Sequence, residues 1–279
     1  MKGIISGIKR MEIHDGDGLR TTVFFKGCPL KCIWCHNPES ISFEKQVAFF
    51  KDKCIGCGIC NGKRNDVTAE SCPTEALKLY GTEYEANELA EILMQDEMFF
   101  RNGGGGVTFS GGECLAQPDF AVALAKILSE KGISVYIDTC GFVNREVFER
   151  IIPFTDKFLY DIKAVDSDIH KKCTGRDNGK ILDNLRFLSE KNCMIEIRYP
   201  LVEGYNDGEC GKIGEFLSGL KGITKVKILQ YHSFAASRYE ALAMENTLPD
   251  TQTTYEDIEN AVKILKSYGL NAVNGIDGD

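Results

Sequence analysis

The chain has 279 residues, 43% hydrophobic and 27% charged, with a net charge of −8 and 12 cysteines. An acidic chain with no basic cluster is a poor match for nucleic acid, because phosphate contacts need concentrated Lys and Arg. No run reaches the length of a membrane span, and the first apolar run is too short for an export signal. The expectation is a cytoplasmic protein with no membrane partner, whose cysteines are reduced and free for metal rather than paired in disulfides.

The run Val23, Phe24, Phe25 predicts a buried strand over 23–26, and the loop leaving it carries Cys28, Cys32 and Cys35 at the spacing C-x3-C-x2-C, with Trp34 between the last two. Three thiolates on a four-iron cube leave one iron without a protein ligand, and an open position is what a metal needs to bind and activate something. A structural zinc loop or three scattered buried thiols are the alternatives. Zinc sites of that kind prefer paired C-x2-C and His ligands, and no second pair completes four ligands from this loop.

A separate island follows, with Cys54, Cys57 and Cys60, then Cys72-Pro73 after eleven residues. Bacterial ferredoxins end their cysteine run in Cys-Pro, and this arrangement supplies four thiolates for one further cluster. A four-cysteine zinc site is the alternative, since C-x2-C also suits zinc. The island, 47–80, is expected as a ferredoxin-like insertion between the first strand and its helix, in a domain made of 1–46 and 81–279.

Helix and strand then alternate. Leu89, Ile92 and Leu93 share one face of a helix over 86–97. Strands are expected over 107–110, 134–138, 158–162, 194–199 and 226–231. Helical stripes lie at Phe120, Leu124, Ile127 and Leu128, from Asn144 to Pro153, and at Ile181, Leu185 and Leu188. The last helix is marked by a Thr253–Glu256 capping box, apolar Ile258, Ala261, Val262 and Leu265, and closure at Gly269. Six strands each trailing a helix predict an α/β fold with parallel pairing, an incomplete (β/α)6 barrel.

Active groups of parallel β/α folds gather at the carboxyl ends of the strands. Ser110-Gly111-Gly112-Glu113, Asp138-Thr139, Asp161 with Lys163, and Arg198 fall there, and His232 follows the sixth strand. Each has a plainer reading: a turn for the Gly-Gly-Glu run, a cap for Asp138, a surface ion pair for Arg198. Cys114, Cys140, Cys173, Cys193 and Cys210 lack ligand spacing and read as small buried hydrophobes. His14, His36 and His170 read as ordinary polar contacts.

The C-x3-C-x2-C loop, the run Asp15-Gly16-Asp17-Gly18-Leu19-Arg20 and the run Cys35-His36-Asn37-Pro38-Glu39-Ser40 together resemble the radical S-adenosylmethionine (AdoMet) superfamily, and within it the activating enzymes of glycyl radical enzymes. That group usually has Pro where Asp17 stands. The resemblance implies a partial TIM-like barrel, a four-iron cluster on Cys28, Cys32 and Cys35, and AdoMet chelated to it. It also implies a glycyl radical enzyme as partner and a flavodoxin- or ferredoxin-type electron donor. Ser110–Glu113 would meet the methionyl amine, Arg198 its carboxylate, Trp34 the adenine, and Lys163 and His232 other parts of AdoMet. Asp138, Thr139 and Asp161 would hold a monovalent cation. The island on Cys54, Cys57, Cys60 and Cys72 would carry an auxiliary four-iron cluster. Two rivals remain at this point: a radical AdoMet enzyme acting on a small molecule, and a plain iron–sulfur electron carrier.

Overall fold

The N-terminal stretch, to which the sequence assigned no element, is a strand. β1 (Lys2–Glu12) pairs antiparallel with β2 (Arg20–Phe25), Ile5 opposite Phe25 and Lys9 opposite Thr22, in a computed structural model describing residues 1–275. β2 starts before the apolar run because its polar residues are satisfied inside. Arg20 Nε donates to Thr108 Oγ1 at 2.7 Å, and the guanidinium lies 3.6 Å from the Tyr136 ring centroid.

After the cysteine loop come β3 (Gln46–Phe49), α1 (Asp66–Glu70) and β4 (Leu77–Tyr80). β3 and β4 form their own two-stranded antiparallel sheet, so the stretch between them leaves and rejoins the main body at neighbouring points. β5 (Thr82–Glu85) then pairs antiparallel with β1.

The helix expected over 86–97 is two helices, α2 (Ala86–Met94) and α3 (Glu97–Gly103). The break falls at Asp96, whose buried carboxylate accepts from Arg10 Nη1 at 2.6 Å and Thr21 Oγ1 at 2.9 Å. Regular alternation follows with β6 (Gly106–Gly111), α4 (Pro118–Glu130), β7 (Ser134–Thr139) and α5 (Arg145–Ile151). Next are β8 (Lys157–Asp161), α6 (Ser167–Thr174), α7 (Gly179–Glu190) and β9 (Ile195–Leu201). The chain continues through α8 (Cys210–Ser218), β10 (Ile223–Gln230), α9 (Ala236–Ala241), α10 (Tyr255–Ser267) and β11 (Ala272–Asn274). Residues 276–279, the end of the expected second barrel segment, lie outside the described residues.

The strand order is β11-β10-β9-β8-β7-β6-β2-β1-β5. The six expected strands are β2 and β6 to β10, adjacent and parallel throughout, as a partial barrel requires. β11 adds a further parallel strand beyond β10. Val23 and Phe25 of β2, Val107 and Phe109 of β6, and Val135 and Ile137 of β7 share one buried cluster with Leu124 and Leu128 of α4, Leu185 and Leu188 of α7, and Ile258 and Leu265 of α10. Each buried side chain of this size contributes about 1.5–3 kcal/mol, against differences below about 1 kcal/mol in helix propensity, so packing fixes where the elements sit.

The capping box of the last helix is displaced by one residue. Thr254 is the cap and Asp257 its reciprocal partner, while Thr253 is buried and donates to the Leu201 carbonyl at 2.8 Å. Once Leu201 has taken that hydroxyl, Glu256 falls one position short of the reciprocal site. α6 and α9 are short helices whose mixed composition gave no stripe. α6 starts because Asp166 accepts from the Asp168 and Ile169 amides.

Candidate active site

Because β2 and β6 to β10 run the same way, their carboxyl ends share one edge, and a cavity of about 640 Å³ opens there. Cys28, Cys32, Trp34 and Cys35 line it from the loop after β2, and Ser110, Gly111 and Gly112 from the end of β6. Asp138 and Thr139 come from β7, Asp161 and Lys163 from β8, Arg198 from β9, and His232 from beyond β10. Of the residues expected at this site, Glu113 alone does not line the cavity.

The cysteine loop is pinned at both ends and in the middle. Gly27 N donates to Ser40 O at 2.8 Å and Cys28 N to Ile41 O at 3.0 Å. Lys31 N donates to Thr174 O at 2.9 Å and Ile33 N to Cys173 O at 3.0 Å. The last carbonyls of α6 have no partner within their own helix, so they are free to hold a loop laid across them. Cys35 N closes a tight turn onto Cys32 O, and Trp34 is buried with Cys173, Val202 and Tyr231.

The two glycines of Gly-Gly-Glu are required by close approach. A Cβ on Gly111 would stand 2.3 Å from the Phe25 backbone, at φ +113°, and one on Gly112 would stand 2.4 Å from Ser40 O. Glu113 is turned inward, away from the cavity that the rest of the run lines. It accepts from Leu115 N at 3.0 Å, Cys140 N at 2.8 Å and Thr139 Oγ1 at 2.9 Å. It thereby ties the end of β6 to the end of β7, and burial pushes its pKa up despite these donors.

Opposite charges crowd the far wall. Arg198 Nη1 lies 3.5 Å from Asp138 and 3.6 Å from Asp15, and Nη2 donates to His14 O at 3.0 Å. Its buried Nε has no hydrogen-bond partner. Ser110 Oγ donates to Asp138 at 2.6 Å, and Lys163 Nζ to Asp161 at 2.6 Å. Burial pushes Asp138 up, Arg198 pulls it back, and Asp161 pushes the same way as burial. Burial works to lower the Lys163 ammonium, and its pairing with Asp161 leads the interactions that more than reverse it.

Burial also pushes the Cys32 thiol up, and Cys35 up to about 12, so at neutral pH both hold their protons unless a metal displaces them. Three thiols on one part of the cavity lining and the Arg198 guanidinium on another, beside Asp138 and Asp15, fit a cluster and a small molecule bearing a carboxylate.

Asp15, His36 and Cys140 also line the cavity. Asp15 precedes a strand rather than ending one, so the strand-end rule passes over it. His36 is stacked on His232, ring centroids 4.1 Å apart at 5°, and its Nε2 donates to the His232 carbonyl at 2.9 Å. Its place directly after Cys35 was the available signal. Cys140 sits in hydrogen-bond contact with the Cys28 thiol, which draws the Cys28 pKa down.

A second cavity, about 230 Å³, is lined by Cys54, Cys57, Cys60 and Cys72 together with Phe49, Ile55, Ile59 and Leu77. The Leu77 amide donates to Cys72 Sγ at 3.4 Å. Among the described residues no three His, Cys, Asp or Glu side chains converge as ligands of a single ion do.

The model of the radical SAM superfamily matches residues 22–217. The trans-4-hydroxy-L-proline dehydratase activating enzyme of Clostridioides difficile is 36% identical, covering 99% of this chain and 100% of that protein. The choline trimethylamine-lyase activating enzyme of Oleidesulfovibrio alaskensis is 34% identical, covering 96% of each. The chain is a radical SAM protein of the glycyl-radical-enzyme activating group. A solved domain of a pyruvate-formate lyase-activating enzyme from Bacteroides vulgatus superposes with a TM-score of 0.53 at 30% identity, covering 61% of this chain and 99% of that domain. Membership in the radical SAM group carries a four-iron cluster and AdoMet as cofactors, and the activating group carries a glycyl radical enzyme as partner. Among the described residues no helix is long and apolar enough to cross a membrane.

Proposed function

We propose that this activating enzyme holds its cluster on Cys28, Cys32 and Cys35, binds AdoMet in the cavity above it, and installs a radical on a backbone glycine of one partner enzyme. When bound, the reduced cluster and AdoMet supply a reductive cleavage to methionine and a 5′-deoxyadenosyl radical, which takes a hydrogen atom from that glycine. The chain's residues bind, orient and exclude water. The backbone of 110–112 faces the methionyl amine, a role its neighbour Glu113 leaves open by turning inward. Arg198 offers a planar fork to the carboxylate. Trp34 gives the adenine an aromatic face, Lys163 contacts AdoMet, and His232 stands near the adenosyl end. Asp138, Thr139 and Asp161 supply hard oxygen donors for a monovalent cation.

What carries this reading is the convergence on one cavity of the three cysteines, the Gly-Gly turn and Arg198. The test is anaerobic incubation with reductant, AdoMet and the glycyl radical enzyme encoded beside it. Electron paramagnetic resonance is expected to show a carbon-centred doublet on the partner, formed in step with 5′-deoxyadenosine. Glycine-to-alanine exchange in the partner removes the doublet, and Cys32→Ala removes both signals. Turnover with a small molecule alone, and none with the partner, would falsify it.

For the island we propose a ferredoxin-like insertion, 47–80, in a barrel of 1–46 and 81–279, with one auxiliary four-iron cluster on Cys54, Cys57, Cys60 and Cys72. The apolar cavity around these thiols supports it. The alignment to the Clostridioides difficile relative runs over 310 positions against 279 residues here, so that relative carries residues with no counterpart in this chain. Reconstituted protein is expected to hold about eight irons. Replacing Cys54, Cys57 and Cys60 with Ala halves that figure; bound zinc with only four irons rejects the auxiliary cluster.

A further inference from the structure

A fourth cysteine stands beside the three of the loop after β2. Of the five cysteines without ligand spacing, Cys140 alone lines the cavity. Its side chain is hydrogen-bonded to the Cys28 sulfur. Cys140 is 6% exposed, so its thiol meets that sulfur largely out of water. Cys114, buried close by in the chain, turns its thiol to the Asp138 carbonyl at 3.4 Å and does not line the cavity.

Four buried hydrogen bonds fix the turn that carries Cys140. Cys140 N donates to Glu113 Oε2 at 2.8 Å, and Gly141 N donates to Thr139 Oγ1 at 3.0 Å. The buried amide of Asn184 in α7 donates to Gly141 O at 2.9 Å and to Val143 O at 2.8 Å. Glu113 N in turn donates to Gly27 O at 2.9 Å, so a single residue ties Cys140 to the position before Cys28. β6 lies between β2 and β7 in the sheet, and these bonds are what bring the two thiols together across it.

We infer that Cys140 is a positioning residue that donates its S–H to the Cys28 ligand sulfur and thereby raises the reduction potential of the cluster on the loop. It binds no iron and acts through Cys28. A thiol keeps its proton at neutral pH, and more so when buried, whereas a metal-bound cysteine has given its proton up. Cys140 therefore has a proton to share and Cys28 a lone pair to receive it. Hydrogen bonds to cluster sulfurs are among the factors that set the potential, and a donor favours the reduced, more negative state. In a buried setting such a bond is electrostatically stronger than in water. The inference rests on reading Cys28, Cys32 and Cys35 as the cluster ligands.

The test is a redox titration of the anaerobically reconstituted holoprotein, followed by electron paramagnetic resonance. The signal that changes on adding AdoMet identifies the cluster on the loop. Cys140→Ala is expected to lower the ratio of reduced to oxidised cluster at a fixed potential about threefold, a midpoint lower by about 28 mV at 59 mV per decade. Cys140→Ser keeps a donor and is expected to recover most of that shift. Cys193→Ala, outside the cavity lining, is expected to match wild type. The signal comes from loaded clusters alone, so partial loading does not hide a shift, and Cys140→Val, closer in volume, serves where Cys140→Ala loads none. A midpoint shared by wild type and the variants without a donor, or a shift in Cys140→Ser as large as theirs, overturns the role of Cys140 while the ligand reading stands on its iron count. Full iron retained by Cys32→Ala overturns both.

Discussion

The guanidinium of Arg198 is surrounded by carboxylates, yet its buried Nε has no acceptor. On the proposed reading the planar guanidinium takes the AdoMet carboxylate as a bidentate fork. Arg198→Lys keeps the charge and loses the fork, so AdoMet affinity is expected to fall about tenfold or more, at 1.4 kcal/mol per decade, read by equilibrium binding to the reconstituted protein. Unchanged affinity removes Arg198 from the site. Asp17, standing where the group usually has Pro, has a visible job: its carboxylate pairs with Lys157 and accepts from the Tyr136 hydroxyl at 2.8 Å. Burial works to raise its pKa, and Lys157 and Tyr136 lower it further than burial raises it. A depressed carboxylate stabilises the fold above its unfolded-state pKa and loses that contribution as pH falls through the folded one. Asp17→Asn is therefore expected to lower the unfolding midpoint at pH 7, with the gap to wild type closing below about pH 4. A gap that widens in acid contradicts the pairing.

Among the elements, α6 has the least apolar sequence and one of the most specific tasks, because its last carbonyls hold Lys31 and Ile33 of the cysteine loop. Its end depends on Gly175, left-handed at φ +77° with its amide on Lys171 O at 2.9 Å. The nearest atom to an added Cβ is Lys31 Cβ at 3.9 Å, so room is available and the cost of a side chain is conformational. Gly175→Val is expected to cost about 1–2 kcal/mol. Hydrogen exchange at the Lys31 and Ile33 amides is expected to accelerate with it. Gly175→Asn, which tolerates that conformation better, is expected to recover most of the loss. Protected amides in the valine variant would show that the loop is held by something other than α6.

Across the whole molecule, seven parallel strands bring distant residues to one edge, so a ligand there bridges elements from β2 to β10. Binding that is confined to the folded state adds to global stability. AdoMet at a hundredfold excess over its Kd is expected to add about 2.7 kcal/mol. At about 2–4 °C per kcal/mol, that raises the unfolding midpoint of the reconstituted protein by roughly 5–10 °C. Arg198→Lys at the same AdoMet concentration is expected to show a smaller rise; an equal rise in both means AdoMet is held by other groups.

Local spacing along the chain was sufficient for some features and not for others. The C-x3-C-x2-C loop lies within a few residues, so connectivity alone brings its thiols together, and the alternation of apolar runs and stripes was enough to order β2 and β6 to β10 in a parallel sheet. Strand ends then located Asp138, Asp161, Lys163 and Arg198 at one edge, since parallel strands share their carboxyl side. Tertiary structure alone decided the rest. β1 is a strand because β2 offers it an edge, β5 because β1 does, and the helix over 86–97 breaks because Asp96 has partners in Arg10 and Thr21. Glu113 faces inward because donors from Thr139 of β7 and from Cys140 directly after it, twenty-six and twenty-seven positions along the chain, reach its carboxylate. Which way a polar side chain turns is settled by partners far away in sequence, and no local pattern encodes them.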